Sequence, residues 1–371
     1  MNGYYPPPPY QYNTPPNGFP PAPEQPETQR AKRRLRQLSI FAGLGLLGFM
    51  LMQQIFSATL LLLGLGDAYQ TNALLQNACG ILFSILCVGL PFLLVYFLLY
   101  ARGQAPAIPL EAPRNKPRAL LLVFIGLLVC MAGNYATSGL VFFFDLFHIE
   151  LTAPDMLTPA DAFGCVILFV QSAVVPAVVE EFAMRGVVMQ PLRKYGDWFA
   201  ILISSFVFAL MHGNLVQAPF AFIAGLGLGY AVIASGSLWT GILIHLLNNS
   251  ISVIQTIAAA NLSAETANLI SAILIGVVVA VGVAALLVYL FKRGVRIVLP
   301  LSTLPLRGGE KVTAYLFTPP MVLSLAMMIW STRYYISVPF STSLLTVLFF
   351  IAAIAAFAFS FTPQKSAPRR M

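Results

Sequence analysis

The sequence predicts an all-α membrane protein, a polytopic transmembrane helix bundle of about ten helices with both termini in the cytoplasm. Three observations carry that reading. Of 371 residues, 58% are hydrophobic and only 9% charged, against roughly 25% charged in an ordinary soluble domain. The apolar residues gather into about ten runs, most of them near the roughly 20 residues that cross a bilayer. The basic residues collect in connections on one side of those runs, which orients the chain by the positive-inside rule.

In chain order, residues 1–29 are rich in proline with tyrosine, asparagine and glutamine. This composition cannot bury a core, favours extended polyproline conformations and predicts a disordered tail. Pro6–Tyr10 could dock an aromatic-lined groove, but a solvated tail explains the same residues. Arg30, Lys32, Arg33, Arg34 and Arg36 follow as a membrane-surface anchor, so residues 1–37 form a disordered, basic cytoplasmic leader. The first apolar run is too long for a signal-peptide core and is expected to stay as a span. Runs at 38–65, 79–100 and 118–144 make an accessory unit over 38–146. Runs at 161–188, 198–211, 216–234 and 238–258 make a core over 161–258. Runs at 267–291, 313–330 and 343–361 make a second accessory unit, with a short basic tail, over 264–371.

Arg102, Arg114, Lys116, Arg118, Arg193, Lys194, Lys292, Arg293, Arg296, Arg307, Lys311, Arg369 and Arg370 then fall on the same side as the basic leader. Asp67, Asp145, Glu150, Asp155, Asp161 and Glu265 fall on the other. This distribution explains the net charge of +8 as topogenic and argues against a nucleic-acid partner. Cys79, Cys87, Cys130 and Cys165 lie in or beside apolar runs without C-x-x-C spacing and read as packing residues. Gly225–Tyr230 (GLGLGY) offers small residues for close helix contact. No strand precedes it, which argues against a nucleotide loop.

Glu180 and Glu181 sit side by side within the apolar run 163–189. Ionisable groups inside hydrocarbon cost several kcal/mol on most scales and mark function by default. Removing the loop charges leaves them with Arg185 on the fourth run, His212 at the end of the fifth, and His245, Asn248 and Asn249 on the seventh. Glu181 and Arg185 are four apart and share a helix face, while Glu180 points about 100° away. The pair could be a purely structural ion pair; Glu180 then remains unexplained. Pro176 can loosen the helix and let backbone carbonyls or water approach. His245 and Asn249 are also four apart and present two donors suited to a developing oxyanion. Phe208 and His212 share a face as well, so an aromatic edge can shape the surroundings of that histidine. His148, in an outer acidic loop, reads as ordinary. The fifth run must stop partway through the membrane for these groups to converge, as Gly213 and Asn214 permit; a water-filled cavity open to the cytoplasm is then expected.

The stretch E-E-F-A-M-R-G (Glu180–Gly186), then F-A-L-M-H (Phe208–His212), then H-L-L-N-N (His245–Asn249) resembles the CPBP family of intramembrane proteases. These are the CAAX prenyl endopeptidases and their bacterial relatives, including bacteriocin-processing and self-immunity proteins. The patterns E-E-x-x-x-R, F-x-x-x-H and H-x-x-x-N are all present and in order, and S-G-S-L-W-T-G-I-L-I-H (Ser235–His245) resembles the family's approach to its last histidine. The likeness covers roughly residues 161–258 and points to a multi-pass protein of a bacterial plasma membrane. It implies a membrane endopeptidase in which Glu180, assisted by His212, activates water. It gives His245 and Asn249 the oxyanion, and Glu181, Arg185 and Phe208 supporting roles.

The resemblance also implies a membrane-bound or lipidated peptide as partner, either a prenylated CAAX-type peptide or a leader or pheromone peptide. The cofactor stays open. Family members are often labelled metalloproteases, and Glu180, His212 and His245 could hold one zinc ion with a position left for water. There is no H-E-x-x-H helix, and the same residues suffice for a metal-free glutamate mechanism. Two other classes compete: a non-catalytic immunity or scaffold protein that keeps the motifs for structure, and a proton- or ion-coupled transporter, which the lack of an inverted repeat disfavours.

Overall fold

A computed structural model describes residues 26–292, 299, 302, 304, 306–339 and 342–362. The proline-rich segment 1–25 with Pro6–Tyr10, the basic residues Arg293 and Arg296, and Arg369 and Arg370 lie outside the described residues. The described chain is helical almost throughout. In order the helices are α1 (Pro26–Leu62), the short α2 (Gly66–Thr71), α3 (Ala73–Ala101), α4 (Lys116–Asp145), α5 (Ala162–Tyr195), α6 (Asp197–Met211), α7 (Ala218–Ser235), α8 (Leu238–Asn261), α9 (Ala264–Phe291), α10 (Gly308–Leu316), α11 (Pro319–Ser331) and α12 (Ser343–Phe361). β1 (Glu150–Leu151) and β2 (Ile336–Ser337) form one antiparallel pair that ties the α4–α5 connection to the α11–α12 connection.

Every apolar run of the sequence is helical. Among the described residues, seven helices (α1, α3, α4, α5, α7, α8 and α9) are long and apolar enough to cross a membrane, or eight spans if the bent pair α10–α11 counts as one; α6 and α12 are shorter. Two boundaries differ from the sequence reading. Helix α1 begins at Pro26, so the basic residues 30–36 form its first turns rather than a separate leader. The run 313–330 is not one helix: α10 and α11 meet at 79°. Pro319 and Pro320 open α11 and explain the break, because Pro319 has no N–H for the Tyr315 carbonyl four residues back. Ser39 of α1 donates its hydroxyl to that carbonyl and lies 2.7 Å from the Thr318 hydroxyl.

Helix α7 forms the middle of the bundle, packed between α4 and α6. Its glycines set the spacing. A Cβ on Gly225 would come within 2.9 Å of Ser205 on α6, and one on Gly227 within 3.0 Å of Val129 on α4. The GLGLGY run is therefore a two-sided packing face. At the basic end, Tyr195 donates to the Ala31 carbonyl, Lys311 donates to the Tyr195 carbonyl and Lys32 pairs with Glu310 at 3.1 Å. These contacts fasten α1 and α10 to the end of α5. Cys79, Cys87 and Cys130 are buried, Cys165 is half-buried, and all four are free thiols.

Candidate active site

Helix α5 supplies two carboxylates in different environments. The Glu181 and Arg185 side chains are wholly buried, with Arg185 Nη1 3.0 Å from Glu181 Oε1, whereas the Glu180 side chain is 20% exposed. Arg185 also reaches the Gly225 carbonyl through Nη2 at 3.4 Å and sits 4.6 Å over the Phe208 ring. A desolvated guanidinium over an aromatic face gains from cation–π attraction. Glu181 Oε2 and Arg185 Nε make no hydrogen bond within the described residues. The pair is thus incompletely satisfied in a region where such groups are costly.

Two turns of α5 are π-helical, Val170–Val174 and Phe182–Val188. Such turns interrupt helices mostly at functional positions. Pro176 follows the first of them. Its missing N–H deprives the Ser172 carbonyl of the donor an α-helix would give it, and Asn249 Nδ2 donates to that carbonyl at 3.0 Å from α8. The loosening expected at Pro176 is therefore used to anchor a side chain of the site.

Helix α6 delivers His212. Its 15 residues rise about 22 Å, short of a hydrocarbon core of about 30 Å. Gly213 ends it with φ +66°, a left-handed conformation that glycine adopts without strain. The fully buried Asn214 satisfies the broken backbone: its amide donates to the His212 carbonyl at 2.9 Å and to Gln217 Oε1 at 2.8 Å, and its Oδ1 accepts from Gln217 N at 2.8 Å. His212 Nδ1 lies 2.9 Å from the Phe208 carbonyl. A carbonyl only accepts, so Nδ1 carries the proton and Nε2 of the neutral ring keeps its lone pair. The Phe208 ring meets His212 edge to face at 4.9 Å and His245 at 6.1 Å.

Helix α8 brings His245 between the two carboxylates. Its Nδ1 is 3.1 Å from Glu181 Oε1 and its Nε2 is 3.8 Å from Glu180 Oε2. Glu180 and Glu181, expected on separate faces, therefore bracket one imidazole. Gly241, one turn earlier, makes room for this: a Cβ there would stand 2.8 Å from Glu181 Oε2 and 2.6 Å from Val232 Cγ2. Asn249 Oδ1 accepts from Asn248 Nδ2 at 3.1 Å, and among the described residues the second hydrogen of its own amide, beside the bond to Ser172, is uncommitted.

Glu180, Glu181, Arg185, Phe208, His212, His245 and Asn249 are thus linked through contacts among α5, α6 and α8. His148 lies apart, in the turn after α4 with φ +56°. The triad proposed to hold zinc is not gathered as a ligand set: among the described residues, no three His, Cys, Asp or Glu side chains are placed to hold one metal ion. Arg185 and His245 already engage Glu181. The cavity of about 640 Å³ at the basic end is lined by the 107–115 connection and the α7–α8 turn, not by these residues. Sequence reasoning passed over Ser172 and Gly241; Pro176 signalled the first, and nothing in the local pattern signalled the second. It named Asn214 as permitting the end of α6 but not its hydrogen bonds to His212 and Gln217.

Residues 162–251 match the family model described as Rce1-like, type II CAAX prenyl endopeptidase Rce1-like. The match covers about a quarter of the chain, includes all three motifs and agrees with the resemblance to the CPBP proteases. No curated protein matches the chain, and no solved structure does. The apolar helices and this match describe an integral, multi-pass membrane protein.

Proposed function

We propose that the protein is an intramembrane endopeptidase in which Glu180 activates water against a peptide bond of a membrane-associated peptide. The observation that carries this reading is the bracketed imidazole, with Glu181 at 3.1 Å on Nδ1 and Glu180 at 3.8 Å on Nε2 of His245. A wholly buried carboxylate beside a second, partly exposed one inside a membrane demands compensating charge. With His245 protonated, Glu180, Glu181, Arg185 and His245 together carry no net charge. Glu181 then holds Nδ1–H, and Nε2–H faces the reacting centre.

In this mechanism Glu180, the more exposed carboxylate, takes a proton from water while His212 Nε2 accepts the second water hydrogen and orients it. The hydroxide adds to the scissile carbonyl carbon. His245 Nε2–H and the free amide hydrogen of Asn249 stabilise the oxyanion. When the C–N bond breaks, the proton held by Glu180 passes to the departing nitrogen, leaving one carboxylate and one amine product. The family resemblance supports a prenylated CAAX-type peptide or a leader or pheromone peptide as the substrate class. A helix α6 that ends partway through the bilayer favours a scissile bond close to the membrane.

Comparing membrane peptidomes of cells carrying the natural chain and Glu180→Gln tests the reading. Substrates are expected to accumulate uncleaved with the variant. Unchanged cleavage by a correctly inserted Glu180→Gln protein would defeat it and favour a scaffold. We further propose that no metal takes part, so activity is expected to persist in excess chelator. Complete loss restored by added zinc would overturn that step.

A further inference from the structure

We propose that the cavity at the basic end of the bundle is a binding site for the headgroup of an anionic phospholipid. This cavity, about 640 Å³, lies between the connection after α3, the start of α4 and the turn from α7 to α8. Its volume is in the range of small-molecule sites. Among the described residues, Arg114, Arg118 and Arg193 line it, with Glu111 as the single carboxylate. Arg193 is held by Asp197 at 2.8 Å. By formal charge the three arginines outnumber Glu111 and Asp197 among the described residues. Orientation of the chain requires positive charge near a span end; it does not require three guanidinium groups around one cavity.

The cavity wall is built, not loosely draped. The carbonyls of Pro109, Leu110 and Glu111 accept from Leu238 N at 2.7 Å, Trp239 Nε1 at 2.8 Å and Ser237 Oγ at 2.6 Å, all at the start of α8. Beside it the surface turns apolar. Leu110 is 58%, Trp239 52% and Leu120 54% exposed. An indole at this level suits the membrane interface, where the ring sits among headgroups and its N–H finds an acceptor. A charged cavity bordered by exposed apolar side chains fits a ligand with a phosphodiester head and acyl tails. A free phosphate uses only the first of these features. This inference does not depend on the endopeptidase reading.

Trp239 supplies the readout. In detergent-purified full-length protein carrying Trp198→Phe and Trp330→Phe, its fluorescence would be followed while short-chain phosphatidylglycerol, phosphatidylcholine or glycerol 3-phosphate is added. A saturable change is expected with phosphatidylglycerol and none with phosphatidylcholine. Arg114→Gln with Arg118→Gln should weaken the response about tenfold or more, from the usual contribution of basic groups to anionic-lipid binding. Arg333→Gln, beside the β1–β2 pair at the opposite end of α4 from the cavity, should leave it unchanged. Circular dichroism and elution volume establish that each variant is folded. Equal responses to both lipids, no response, or equal weakening by the Arg114/Arg118 and Arg333 variants would overturn the proposal. Equal affinity for glycerol 3-phosphate would assign the cavity to free phosphate and overturn the lipid part.

Discussion

Two prolines in this bundle strip a carbonyl of its helical donor, and the two places have different outcomes. At Pro319 the chain breaks, α10 and α11 diverge by 79°, and Ser39 and Thr318 close the joint with hydroxyls that are fully buried. At Pro176 the chain continues through a π-helical turn, and the Ser172 carbonyl is claimed by Asn249, which stands one turn from His245 on α8. The backbone chemistry is shared. The difference lies in which side chains gather: neutral hydroxyls at one break, and two carboxylates, an arginine and two histidines near the other. A helix defect inside a membrane is thus not itself a sign of function. It becomes one where ionisable groups converge on it.

The widest separation between the two breaks is expected in activity. Glu180→Gln removes the proposed base and should lower the rate by about 10² to 10⁴, the usual reach of general base catalysis, with helical content and membrane insertion unchanged. Ser39→Ala should leave the rate alone. A Glu180→Gln protein at full activity would erase the distinction between a site and a joint.

Stability should separate them next. Arg185→Met leaves Glu181 buried without its guanidinium and should cost about 3–5 kcal/mol, the usual penalty for breaking a buried pair. Ser39→Ala strands the Tyr315 carbonyl and should cost about 1–3 kcal/mol. Denaturation in mixed micelles, followed by far-ultraviolet circular dichroism, ranks the two; a larger loss from Ser39→Ala would mean that the joint carries more of the fold than the ion pair. Asn249→Ala should act on rate more than on stability, lowering kcat by about 10² to 10³ if its free amide hydrogen serves the oxyanion.

Much of this arrangement was legible in the sequence. Hydropathy located the long apolar helices because the bilayer imposes a length and an apolar composition on each span; it missed the short α2 and read α10 and α11 as one. The Glu181–Arg185 contact follows from spacing four, and the early end of α6 from Gly213 and Asn214. What spacing could not convey is contact between helices. Glu180 and Glu181 lie on different faces of an ideal helix, yet both face His245 because α8 inserts between them, with Gly241 allowing the approach. The π-helical turns change the local winding without changing the hydrophobic pattern. The break at Pro319 was visible in Pro319 and Pro320, but an apolar run that spanned it outweighed the prolines. Nothing in the loop 102–115 announced that three of its carbonyls fix the start of α8.

The finest test changes the backbone and leaves every ionisable group in place. Pro176→Ala restores an N–H that can bond to the Ser172 carbonyl, so Asn249 must share or lose its acceptor. The helix itself should gain, since proline costs about 3 kcal/mol relative to alanine inside a helix. Stability is therefore expected to hold or rise. Weakening one hydrogen bond by about 1 kcal/mol should lower kcat by at most about tenfold, with little change in KM, because the amide would act on the oxyanion and not on the bound peptide. Pro319→Ala makes the matched change at the other break and should not touch the rate. If the two alanine variants behave alike, the Pro176 turn is a packing joint of the same kind as the one at Pro319. If only Pro176→Ala slows turnover while unfolding is no easier, the freed Ser172 carbonyl is there to hold Asn249 at the reacting centre.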